Sequence, residues 1–372
     1  MHGDFDFPTR VVFGPGRVRE LPELVRELGR QPLVVTDRGV MGHRAAQPVL
    51  DALSAGDVDF RVFHDVQSTA DAATIETGVR RFMEGCDVLV AVGGGSALDA
   101  AKAIRLGTTH PGPLESYDCF CELPAPIRPE LPPLVAIPTT AGTGSEVSGE
   151  AVVSVSGRRH TLSSPHLQPT LALCDPELTV DLSGPLTAEG GAYALTHCVE
   201  GYLAPVFHPL CDAIALDGAA RARRWLPEAV RSPLNVEARS ELMLAALMGG
   251  IASRKERGLT YAFSAALAAV AGTHPGAAYA VMLPHVLRSL APAVPERLSV
   301  LAAALGAGAG SLADTLAEHF ASLRLPVRLR EENVTHALLG PLAEQALVEA
   351  SRHRLPRAVS REEIAALLES AF

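Results

Sequence analysis

Val88–Ile104 reads VLVAVGGGSALDAAKAI. An unbroken apolar run, three glycines and an alanine-rich stretch opened by Ser96 and Asp99 predict a fully buried strand turning sharply into a helix. Gly93, Gly94 and Gly95 let the backbone approach a ligand, and the amides that open a helix favour a phosphate. The pattern is not GxGxxG, and strand–glycine–helix turns also occur where nothing binds. A second strand end, AIPTTAGTGSEVS at Ala136–Ser148, repeats the design. The hydroxyls of Thr139, Thr140, Thr143 and Ser145 can bond a ribose, a pyrophosphate or an amide, or simply cap their own loop. Two such loops in one chain favour a nucleotide crevice.

Outward from these loops, the first 180 residues alternate β-rich runs such as PLVVTD (Pro32–Asp37) with helical patterns. That alternation predicts βαβ units and a mostly parallel sheet. Beyond residue 180 strand signals fade and Ala/Leu helical patterns take over, ending in Ser360–Phe372, where Ser360 and Glu363 form a candidate capping box. The expected organisation is an α/β N-terminal domain over 1–180 and an all-α domain over 181–372, with a helix-breaking turn at residues 305–311.

At 372 residues and 48% hydrophobic, the chain can bury sizeable cores and does not have the composition of a disordered protein. A net charge of −10 argues against nucleic acid or an acidic membrane surface as partner. No apolar run reaches the roughly 18–20 residues of a membrane span, and the N-terminus has no apolar signal core. The six cysteines lack CxxC spacing and are expected as reduced thiols in a cytoplasmic protein. Lys102 and Lys255 are the only lysines, which limits lysine chemistry.

A third stretch, GAYALTHCVEGY at Gly191–Tyr202, places Tyr193 and His197 four residues apart on one helix face. Together with GGGSALDAAKA, PTTAGTGSEVS, FPTRVVFGPG near the start and CDPELT at Cys174–Thr179, it makes the chain resemble the iron-containing alcohol dehydrogenase family, related in fold to dehydroquinate synthase. The resemblance covers nearly the whole chain. It implies a Rossmann-like domain beside a helical one, a nicotinamide cofactor, and hydride transfer between an alcohol and a carbonyl. Carried over, Gly93, Gly94, Gly95 and Ser96 hold the pyrophosphate, and Asp99, Thr139, Thr140, Thr143 and Ser145 line the cofactor. Asp37 falls near the adenosine ribose, where a carboxylate favours NAD over NADP unless it merely caps a turn.

The resemblance also implies a divalent metal on one aspartate and three histidines, and here the sequence departs from the family. Tyr193 replaces the aspartate, His197 survives, Tyr261 stands at the next ligand position, and Pro275 stands at the last, with His274 displaced by one residue. Ala265 replaces a further histidine that usually lies close to substrate. Convergent N/O donors are needed for such a site, so no catalytic metal is expected, although His197, His274 and a tyrosinate retain some capacity. An acid or base must then serve the substrate oxygen, and Tyr193, Tyr261, His197 and His274 are the candidates; the alternative is that the aromatics only fill the lost site. His160 is a weaker candidate for an anion; His166, His208 and His285 are expected at turns, helix ends or the surface, and Glu200 and Asp212 on polar helix faces.

The leading expectation is an NAD-dependent, metal-independent oxidoreductase acting on a small molecule or on a hydroxyl at a peptide terminus, as in ribosomal-peptide biosynthesis. Its rivals are a maleylacetate reductase-like enzyme, a non-catalytic nucleotide-binding homologue, and lyase chemistry of the dehydroquinate synthase type. A homodimer is the expected assembly.

Overall fold

A computed structural model describes residues 5, 7, 9–42, 45–67, 70–307 and 311–372. Two compact units emerge, an α/β unit of Asp6–Thr140 with Gly144–Asp181 and a helical unit of Leu182–Phe372 with Ala141–Thr143 and Phe5. Thr143, read from sequence within the N-terminal domain, therefore groups with the helical unit.

In the α/β unit the strands are β1 (Arg10–Phe13), β2 (Pro32–Asp37), β3 (Arg61–Val66), β4 (Ala70–Asp71), β5 (Val88–Gly93), β6 (Leu134–Pro138), β7 (Glu150–Val155), β8 (Arg158–Ser163) and β9 (Leu171–Cys174). The helices are α1 (Leu21–Arg26), α2 (Arg38–Gly42), α3 (Gln47–Ala55), α4 (Ala72–Met83) and α5 (Gly95–Gly107). Six strands form one sheet in the order β1-β9-β6-β5-β2-β3, every neighbouring pair parallel. Such a sheet is covered on both faces, so alternate residues of one strand enter different cores. Leu33, Val35, Leu89 and Ala91 pack with Ile75 and Phe82 of α4 and Ile104 of α5. Val34, Val88, Val90 and Val92 pack with Leu21 and Leu24 of α1 and Val49 and Leu53 of α3. A smaller sheet carries β4, β7 and β8, the last two joined antiparallel through a turn whose Ser156 and Gly157 both have positive φ.

The order of the large sheet places the site. From β2 the chain steps to β3 on one side and later returns through β5 on the other. The carboxyl ends of β2 and β5, carrying Asp37 and Gly93, thus flank a switch point of the kind where open α/β sheets bind ligands.

Among the described residues the helical unit contains α6 (Gly184–Leu203), α7 (Pro209–Arg231), α8 (Val236–Ala252), α9 (Leu259–Ala271), α10 (Pro275–Leu290), α11 (Pro295–Ala304), α12 (Leu312–Ser322), α13 (Leu339–Ser351) and α14 (Arg361–Ala371). Helix α6 starts where the Ser183 side chain accepts from the Leu186 amide and is buried on most of its circumference. Gly191 makes this possible: a Cβ there would lie 2.2 Å from Leu226 on α7. The capping box of Ser360 and Glu363 forms as the sequence predicts. The turn expected at 305–311 begins at Gly306, whose φ is 62°, but residues 308–310 lie outside the described residues. No helix among the described residues is long and apolar enough to cross a membrane. All six cysteines carry free thiols.

Candidate active site

The glycine turn after β5 is shaped by close packing. Gly93 has φ 149°, and a Cβ on it would lie 2.7 Å from that of Ala97, so a side chain is excluded twice over. Gly94 caps α5 without a side-chain bond, so the first-turn amides of Gly95 and Ala97 can meet a ligand. The second loop abuts the first: the Thr139 amide donates to the Gly93 carbonyl at 3.0 Å, and Thr140 Oγ1 lies 3.4 Å from where a Gly94 Cβ would be. Asp37 sits beside this turn, its Oδ2 3.5 Å from the Cβ position of Gly93. Its Oδ1 accepts from the Val40 amide at 2.9 Å, so the carboxylate caps α2 and keeps its other oxygen toward the glycines.

Asp99 and Ser145, expected as cofactor contacts, are first of all braces. Ser145 Oγ donates to Asp99 Oδ1 at 2.6 Å, while Asp99 Oδ2 accepts from the Val152 amide at 3.0 Å. Lys102 Nζ, fully buried, donates to Ser145 Oγ and to the Glu150 carbonyl, both at 2.7 Å. This ties the second loop to α5. The sequence left Lys102 without a role, and it did not single out Glu146, whose buried carboxyl is pushed up to about 7 by burial. His160, considered for an anion, instead lies 2.9 Å from Asp118 Oδ2 through its Nδ1.

In the helical unit, α6 carries the expected pair. The rings of Tyr193 and His197 meet edge to face with centroids 4.6 Å apart. Tyr261 and Ala265 of α9 join Tyr193 in one cluster with Tyr279 of α10, a residue the sequence reading missed. Tyr279 is fully buried and meets Tyr193 edge to face at 4.7 Å. It lies one helical turn past Pro275, so the four-residue spacing that paired Tyr193 with His197 also pointed to it.

Arg257 was missed as well. Its Nη1 lies 3.3 Å from His197 Nε2, and its guanidinium carbon sits over the Tyr261 ring, 4.4 Å from the centroid. Burial, followed by the charge of Arg257, holds the His197 pKa well below the usual range, so the imidazole is neutral. Burial pushes the Tyr279 phenol well above its ordinary value.

Glu200 corrects the sequence reading outright. Read as a polar-face residue, it is only 7% exposed and its carboxylate accepts from the amides of Gly258, Thr260 and Tyr261 at 3.2, 2.6 and 3.2 Å. Helix α9 has no side-chain cap of its own, and Glu200 takes that place from across the unit. One carboxylate therefore fixes the backbone on both sides of Gly258, with Arg257 and Tyr261 mounted on it. Asp212, also read as polar-face, pairs with Lys255 Nζ at 2.5 Å and Arg297 Nη2 at 3.1 Å.

His274 has a different employment from the one expected. It is the N-cap of α10, its Nδ1 is 2.8 Å from Glu189 Oε2 and 3.3 Å from the Gly276 amide, and its side chain is 52% exposed. Glu189 lies one turn before Tyr193 on α6, so this pair stands beside the aromatic cluster and not within it.

Residues 8–176 match the family described as iron-containing alcohol dehydrogenase, and 187–372 match the C-terminal part of the Fe-containing alcohol dehydrogenase family. With the parallel sheet and its switch point, these matches define an alcohol dehydrogenase-like oxidoreductase. The chain belongs to the iron-containing alcohol dehydrogenase family. It is 37% identical to a 4-hydroxybutyrate dehydrogenase of Cupriavidus necator, over 98% of each chain. The solved structure of a 1,3-propanediol oxidoreductase superposes with a TM-score of 0.90 at 32% identity, covering 100% of both chains. A sulfoacetaldehyde reductase from Bifidobacterium kashiwanohense, solved in complex with NAD+, superposes with a TM-score of 0.90 at 25% identity, over 100% of this chain and 99% of that one.

The family description names iron, and the donors present here do not fit a divalent ion. His197 Nε2 already faces a guanidinium, which would repel a second cation a few ångströms away. Around it stand phenols, one of them held strongly protonated by burial. Among the described residues no three of His, Cys, Asp and Glu converge. The glycine and threonine loops, by contrast, fit a dinucleotide: a turn with no room for a side chain at Gly93, a helix start without a side-chain cap and an acidic strand end.

Proposed function

We propose that this protein is an NAD-dependent oxidoreductase that interconverts an alcohol and a carbonyl by hydride transfer without a catalytic metal, with a tyrosine as acid–base group. The observation that carries it is Arg257 standing on His197 within a ring of phenols, in a family whose relatives act on alcohols and aldehydes. The NAD+ complex of the related reductase supports the cofactor. Asp37 beside Gly93 supports NAD over NADP, since a carboxylate accepts from ribose hydroxyls and repels a 2′-phosphate.

Bound NAD supplies the acceptor or donor of the hydride. The amides opening α5 meet the pyrophosphate charge, and the Lys102–Ser145–Asp99 brace shapes the second loop before any ligand arrives. In reduction, Tyr261 gives its phenolic proton to the carbonyl oxygen; in oxidation, its phenolate takes the hydroxyl proton, and solvent restores the balance. Arg257 over the ring offsets the negative charge left when the proton departs. Tyr279 holds its proton too tightly to exchange it and instead fixes the ring of Tyr193.

Thermal melting with NAD, NADH and NADPH, together with metal analysis and turnover after chelation, tests this reading. Stabilisation by NAD and NADH, no stoichiometric iron or zinc, and turnover of 4-hydroxybutyrate, 1,3-propanediol or a threonine-terminated peptide that survives chelation are expected. No shift with any nucleotide refutes the enzyme; stoichiometric metal, or activity lost on chelation, refutes the metal-free mechanism.

A further inference from the structure

Arginine has only donors, so its contact with His197 Nε2 at 3.3 Å requires that nitrogen to accept. An imidazole that accepts through Nε2 is neutral and carries its proton on Nδ1. That nitrogen is buried, on a side chain only 2% exposed, and has no hydrogen-bond partner. Unmet buried donors are uncommon in folded proteins, and one inside a candidate active site points to a partner that arrives with the ligand. The placement of Arg257 is itself enforced. Its successor Gly258 is pinned by Glu200, which sits one turn from His197 on α6, and its own amide donates to Glu256 Oε1 at 3.2 Å. Glu256 in turn is 2.9 Å from His353 Nδ1, and the His353 ring meets Tyr261 edge to face at 5.4 Å.

We propose that Arg257 is a positioning residue that locks His197 as the Nδ1–H tautomer, and that this N–H donates to the substrate oxygen on which negative charge develops. His197 is then the catalytic oxyanion donor, and the fixed positive charge behind it is a guanidinium. The donated proton is shared and not transferred. The hydride moves between the substrate carbon and the nicotinamide, the hydroxyl proton moves through the tyrosine, and His197 ends each turnover as it began. The substrate half of this inference rests on the oxidoreductase reading; the tautomer half does not.

The test is long-range 1H–15N correlation spectroscopy of the full chain labelled with 15N-histidine. The signal among the thirteen histidines is assigned by its loss in His197→Gln. Without cofactor or substrate, His197 is expected as a neutral ring protonated on Nδ1. Arg257→Met is expected to move the proton to Nε2, and Arg257→Lys, which also offers only donors, to restore Nδ1–H. An Nε2–H ring in the unaltered protein, or an unchanged tautomer in Arg257→Met, overturns the proposal; the first needs no Arg257 variant to fold. In turnover, Arg257→Met is expected to lower kcat by about 10²–10³-fold with little change in KM, as for loss of an oxyanion donor. A shifted tautomer with unchanged kcat overturns the substrate half while leaving the oxidoreductase reading intact. A chain that no nucleotide stabilises fails that reading, while the spectrum still decides the tautomer.

Discussion

Glu200→Ala removes the acceptor shared by three backbone amides at the start of α9. Each buried donor left unmet costs about 1–3 kcal/mol. Water can enter the space vacated by the carboxylate and meet the Gly258 amide at the half-buried rim, but Thr260 is fully buried. With two amides orphaned at about 1.5–2.5 kcal/mol each, the expected local loss is about 3–5 kcal/mol, a large fraction of ordinary stability. The chain has two units, so a single unfolding midpoint would blur the effect. Hydrogen exchange followed by mass spectrometry reads it directly. The peptide spanning 258–262 should exchange about a hundred- to several-thousand-fold faster, while peptides from β5 and β6 stay unchanged. Glu200→Gln keeps one acceptor oxygen and should fall between. The reasoning is refuted if exchange at 258–262 is unaltered, or if acceleration is equal in both units, since either result means that Glu200 does not anchor α9.

Two further changes address separate parts of the molecule. Tyr261→Phe should lower kcat about 10²–10⁴-fold as a lost general acid, with Tyr193→Phe milder; undiminished turnover in both would reduce the phenols to packing. Glu146 has a carboxyl raised to about 7, so the folded state holds its proton more tightly than the unfolded state. Its contribution is present below about pH 4.5 and is lost as pH rises through 7, amounting to about 3 kcal/mol. Glu146→Gln should therefore be more stable than the natural chain at pH 8 and equal to it near pH 4.5 in denaturant titrations; a pH-independent difference would contradict the raised carboxyl.

Much of the fold was legible because its causes are local. The runs Pro32–Asp37 and Val88–Val92 read as buried strands, since Pro32–Val35 and all of Val88–Val92 are apolar. Ser360 and Glu363 read as a capping box because the partners lie three residues apart. Tyr193 and His197 could be paired by helical spacing alone, and Gly93 by the turn it must make. What stayed hidden involves partners distant in sequence. Nothing near Arg257 in sequence marks it as a partner of His197, and Glu200 read as one polar residue on a long helix. Nothing local showed that Lys102 and the Val152 amide would hold Ser145 and Asp99.

The sequence by itself determined the parallel sheet and the glycine cradle after β5, since short-range sterics suffice for those; that Tyr193 and Tyr261 stand where relatives carry ligands is what the resemblance to the family implies. Only the tertiary structure decided what faces His197. When α6 packs beside the start of α9, Glu200 pins that backbone, and a guanidinium sixty residues away is set against the imidazole. A contact of that length is made by helix packing, in which no residue carries a local mark of its partner.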